Sequence, residues 1–94
     1  MILRNLTQSP VTTTGTITLG ADKYLGAYKL NADGTNLATL VIKDGSSSGS
    51  VLVDTDTVIG EHVIIPMKTS GTIYYSVSGT NADVMLYEAV KEII

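Results

Sequence analysis

The residues best placed to do chemistry in this 94-residue chain lie between Gly45 and His62. Gly45-Ser46-Ser47-Ser48-Gly49 fits the G-x-S-x-G nucleophile pattern, and Asp54 and His62 follow in the Ser, Asp, His order of a hydrolase triad. That pattern works where a strand runs into a helix on a large parallel sheet, with backbone N–H groups placed to hold an oxyanion. Here the serines lead into VLVDT, a β-rich run, so they predict a turn and no triad. Asp54-Thr55-Asp56 with Glu61 offers oxygens of the kind calcium takes, but lacks the turn glycine and further carboxylates of a calcium loop. A solvated strand end is expected there, its carboxylates bonded to nearby amides. His62 is the only histidine and there is no cysteine, so one chain cannot assemble a zinc site or a Cys-His pair. No catalytic residue, cofactor or metal is expected, and the chain does not read as an enzyme.

Tyr24, Tyr28, Tyr74 and Tyr87 offer rings on which a sugar can stack, the chemistry of a glycan-binding module. With no Phe or Trp in the chain, the tyrosines are also the only aromatics available to a core or a subunit contact. Asn5-Leu6-Thr7 is a glycosylation sequon, which matters only in a secreted chain.

The elements that must position these residues read as strands. Leu37 to Thr55 is the organising stretch: two β-rich runs joined by a Gly/Ser loop, a central hairpin with Ala38, Leu40 and Ile42 on its core face. Thr72 to Ser78 alternates as cleanly, with Ile73, Tyr75 and Val77 on one side. Val11 to Leu19 reads as one half-exposed strand interrupted at Gly15. In KYLGAYKL, Tyr24, Gly26, Tyr28 and Leu30 fall on one face, with Gly26 leaving room for a neighbour's side chain. Thr57 to Met67 is expected as a short strand on each side of Gly60, stopped by Pro66. Asp83 to Ile94 fits either a strand or an Asp83-capped helix, and the hairpin-like turn before it favours the strand. Asn31-Ala32-Asp33 recurs as Asn81-Ala82-Asp83, three turn residues too few to establish a duplication.

Composition bounds what such a domain does. Apolar residues at 44% and charged ones at 16% predict a folded single domain, 1–94, in place of a disordered tail. A net charge of −3 with six scattered Lys and Arg argues against nucleic acid, which selects clustered positive charge. No run approaches the ~20 apolar residues of a membrane span, and MILRNLTQSP lacks the apolar stretch of a secretion signal. Ile2, Leu3 and Leu6 precede a break at Pro10, so residues 1–9 are either a first strand or an N-terminal arm whose apolar side chains bind a partner. Open sheet edges with little charge to guard them predict a homo-oligomer.

From Tyr24 to Val90 the order of features resembles small β-sandwich virion proteins of tailed bacteriophages. It comprises a YLG strand, an apolar strand ending in DG, a Gly/Ser loop, a Pro near the end of a later strand, a strand closing in VSG, and a last strand bearing Tyr87. The resemblance implies an antiparallel, all-β sandwich of jelly-roll type with about eight short strands. It also implies a capsid decoration or cement protein: a trimer that binds the major capsid protein lattice, found in the virion after assembly in the host cytoplasm. A glycan-binding module of a phage tail or fibre is the alternative.

Overall fold

Alternation of side chains decides this structure, because nearly every run of the chain offers one apolar face and one that is not. A computed structural model describes residues 2–7 and 9–90. They form eight strands: β1 (Ile2–Asn5), β2 (Gly15–Thr18), β3 (Tyr24–Asn31), β4 (Ala38–Asp44), β5 (Val51–Thr57), β6 (Glu61–Lys68), β7 (Thr72–Ser78) and β8 (Asp83–Val90). Two four-stranded sheets result, ordered β1-β8-β3-β6 and β2-β7-β4-β5, and every pairing is antiparallel. The expected all-β sandwich is what the chain forms. The pairs are nested: β4 with β5, β3 with β6, β2 with β7 and β1 with β8, sent alternately to the two sheets.

Ala38, Leu40 and Ile42 of β4 and Ile73, Tyr75 and Val77 of β7 face inward as expected, opposed by Leu25, Tyr28 and Leu30 of β3 and Val84 and Leu86 of β8. Asp83 to Val90 is strand, as favoured, while 91–94 lie outside the described residues.

Four local expectations are corrected. The Leu37 to Thr55 hairpin forms, but only β4 is interior to its sheet; β5 is an edge strand. Val11 to Leu19 is not one strand: Val11 bridges Val84 of β8, whereas β2 pairs with β7, so the chain passes from one sheet to the other between them. In β3 a bulge between Leu25 and Ala27 inserts Gly26 and shifts the alternation by one. Leu25 therefore points inward with Tyr28 and Leu30, and Tyr24 points out. The room at Gly26 exists and is filled, since a Cβ there would stand 2.5 Å from Leu3 Cδ2 and 2.8 Å from the Ala89 amide nitrogen. Finally, β6 runs through Pro66 without stopping. It is an edge strand, and its register with β3 passes from Ile64 to Met67 around the bulge, so proline's missing N–H is tolerated.

Two polar clasps reinforce the sandwich, one between the sheets and one at the β3–β8 end of a single sheet. Tyr28 and Thr55 hydroxyls both donate to Glu61 Oε1, at 2.7 and 2.6 Å, tying β5 of one sheet to β6 of the other. Burial, with the hydrogen bond to Glu61 and the charge of that carboxylate, pushes the Tyr28 phenol up to about 12. At the loops leading into β4 and β8, the two Asn-Ala-Asp triplets grip each other reciprocally: Asn31 Nδ2 donates to Asp83 at 2.5 Å and Asn81 Nδ2 to Asp33 at 3.0 Å. Asp33 also accepts from the Thr35 and Asn36 amides and the Asn36 side chain. These donors hold its carboxyl well below the usual range.

Candidate docking surface

The serine loop is a turn. Ser46 and Ser48 hydroxyls lie 3.1 Å apart, the Gly49 amide donates to the Ser46 carbonyl, Lys43 Nζ of β4 donates to the Ser47 carbonyl, and the Gly45 amide donates to the Thr72 carbonyl of β7. Asp54 projects outward from β5, since its neighbours Val53 and Thr55 face in, whereas His62 projects outward from β6 on the other sheet. Serine, aspartate and histidine thus do not meet, and no proton relay connects them. The candidate calcium ligands diverge in the same way, Asp54 and Asp56 facing out and Glu61 facing in to its two hydroxyl donors. Among the described residues no group of three or more metal-ligating side chains converges.

The tyrosines are also dispersed. Tyr28 is a core residue, Tyr74 sits on the outer face of the β2-β7-β4-β5 sheet, and Tyr24 and Tyr87 lie on the outer face of the other. Lys68 Nζ stands 4.9 Å from the Tyr24 ring, and the His62 and Tyr87 rings are 6.2 Å apart.

What does stand out is that second outer face. Across β1, β8, β3 and β6 it carries Leu3, Met85, Tyr87, Tyr24, Ile64 and Pro66, with Ile64 59% exposed. Ala27, in register with both Tyr87 and Ile64, is fully buried although it faces away from the core. Lys29 and Lys68 make the β3 and β6 part of this face basic. The outer face of the other sheet is richer in hydroxyls, with Thr16, Thr39, Thr72 and Ser76, and carries Asp54 and Asp56 along β5, but Val41, Tyr74 and Val51 also lie on it.

Ile2, Leu3 and Leu6 belong to this region in different ways. Ile2 is half exposed on the edge strand β1, opposite Val90. Leu3 Cδ2 occupies the notch over Gly26. Leu6 packs against the core, and its amide donates to the Leu86 carbonyl at 2.8 Å. The segment Ile2–Asn5 is thus a first strand of this sheet. Sequence reasoning missed the apolar outer face because the bulge at Gly26 moves Tyr24 onto it and Pro66 was read as a stop. No family model, curated protein or solved structure matches this chain.

Proposed function

We propose that this protein is a structural docking module of a virion, a decoration protein that binds the major capsid protein lattice of a tailed phage head as a trimer. The observation that carries the reading is the difference in balance between the two outer faces: one is mostly threonine, serine and aspartate with Val41, Val51 and Tyr74 among them, the other mostly leucine, isoleucine, methionine, proline and tyrosine with Lys29, His62 and Lys68. An apolar sheet face left unpacked in a small domain marks an interaction surface. Lys29 and Lys68 beside it fit a partner patch that is apolar and carries carboxylates. We read the nested strand pairs as the jelly-roll arrangement, which fits the virion resemblance.

Co-sedimentation with cognate heads, together with the solution mass by light scattering, tests this. Wild-type protein should pellet with heads, Ile64→Asp should stay in the supernatant, and Thr16→Asp on the opposite face should behave as wild type. Equal binding by Ile64→Asp would remove the docking face from the proposal.

A further inference from the structure

Seven large apolar side chains stand exposed among the described residues, and four of them, Val51, Val58, Ile59 and Ile64, fall on β5, β6 and the turn that joins them. A fifth, Leu37, lies beside Val58 where the β4–β5 ladder ends, because Ala38 pairs with Thr57. Across the core β3 faces β4 and β8 faces β7, so the edge strand β6 stands over the edge strand β5. The exposed apolar surface is therefore concentrated on one flank of the sandwich, and a concentration of this kind marks a contact.

The two edge strands give this flank opposite charges. On its outer side β5 carries Val51, Asp54 and Asp56, and on the other outer side β6 carries His62, Ile64, Pro66 and Lys68, with Lys29 of β3 in register with His62. The cation nearest the acidic row, Lys43, is in register with Val51 and occupied at the Ser47 carbonyl. The carboxylate at the loop end of the basic side, Asp83, is held by Asn31. Two β5 rows brought together would face aspartates with aspartates, and two β6 rows would face lysines with lysines. A β6 row against a β5 row instead sets Lys29 and Lys68 against Asp54 and Asp56, and covers Ile64, 59% exposed, with Val51, 57% exposed. Pro66 withholds an N–H from main-chain pairing at the β6 edge, so side chains make the contact.

We infer that the β5–β6 flank is a contact between copies of this chain, the β6 row of one protomer seated on the β5 row of the next. Such a contact is heterologous: each protomer gives one row and receives the other. Both rows border the same flank, so successive copies turn about that flank and close into a ring. The inference deepens the proposed trimer and rests on that reading for the number of copies alone. Met85 and Tyr87 of β8 lie off the β6 row and stay available to the capsid lattice.

The test is sedimentation equilibrium of the protein alone, at micromolar concentration and low salt. It compares the wild type with Asp54→Lys/Asp56→Lys, which destroys the acidic row, and with Ile64→Lys, which drives a charge into the β6 row. The wild type should be an oligomer and each variant a monomer. Each variant keeps the row the other lacks, so an equimolar mixture should give a dimer and nothing larger, its two remaining rows meeting lysine with lysine. Raising the salt from about 0.05 to about 0.5 M should weaken wild-type association by about tenfold. A monomeric wild type, variants of wild-type mass, a mixture that stays monomeric, or association that salt leaves unmoved or tightens overturns the inference. Should a variant fail to fold, the salt response of the wild type decides. A monomer that still pellets with heads overturns the flank contact and leaves the docking reading standing. An oligomer with this pattern that does not pellet supports the contact and removes the docking reading.

Discussion

The two sheets share one core but finish their outer faces differently. Inside, β4 and β7 match β3 and β8 in buried aliphatic side chains, so neither sheet is the more deeply packed. Outside, the β2-β7-β4-β5 sheet offers mostly hydroxyls and carboxylates that water can satisfy, with Val41, Val51 and Tyr74 among them, and the β1-β8-β3-β6 sheet offers mostly half-exposed apolar side chains that water cannot. The inner faces are what folding requires. An outer face that goes beyond that requirement is where function is to be sought.

If the interiors are equivalent, truncation should not tell the sheets apart. Leu40→Ala on one and Leu86→Ala on the other should each lower unfolding free energy by roughly 2–5 kcal/mol, measured by denaturant titration. A large inequality between them would break the comparison from the inside.

Gly26→Ala probes the seam at which β1 meets its sheet. The added Cβ would press on Leu3 and on the backbone of Ala89, and overpacking of this kind costs about 1–3 kcal/mol. The damage should be local, seen as faster hydrogen exchange in β1 and unchanged exchange in β4.

The Tyr28–Glu61–Thr55 clasp joins the two sheets, and its pH dependence has a definite sign. The Tyr28 phenol holds its proton more tightly folded than unfolded, where its ordinary value is 10.0. Its contribution is therefore complete below about pH 10 and is lost as pH rises toward about 12, by at most about 1.4 kcal/mol per unit. Melting temperature should fall across that window in the wild type and fall less in Tyr28→Phe.

The outer faces should differ least in stability and most in association. Ile64→Asp and Thr16→Asp, both on edge strands, should each change the monomer by within about 0.5 kcal/mol, as surface substitutions do. Only the first should abolish binding or self-association. Ser47→Ala, in the hydrogen-bonded turn between β4 and β5, should change neither.

Much of this was legible in the sequence wherever alternation ran unbroken. Leu40, Ile42, Ile73, Tyr75 and Val77 are buried because a period of two leaves them no other face. The reading failed where one residue displaced the period. Gly26 bulges and reverses β3, and the chain changes sheets between Val11 and Gly15, which periodicity within a segment does not register. Pro66 read as a stop because a proline ends an interior strand, and only the topology reveals that β6 is an edge. The repeated Asn-Ala-Asp triplet was a usable signal: it marks two loops that hold each other rather than two copies of a unit. The contacts of Glu88 left no trace, because Arg4, Gly20 and Glu88 come together only through pairing across the length of the chain.

The nesting of the strand pairs carries a kinetic consequence. Closing a loop costs entropy that grows with its length, so the β4–β5 hairpin is the cheapest pair to form and β1–β8 the dearest. Closure runs outward from the Gly/Ser turn, through β3–β6 and β2–β7, and the two interior strands of the β1-β8-β3-β6 sheet cannot meet before β8 has been made. A chain still being synthesised therefore displays β3 with an open flank until β8 emerges. High contact order makes this ending slow by the standards of small domains. The half-made sheet is also the moment of greatest exposure to misassembly, and it is the same sheet whose outer face remains apolar once folding is complete.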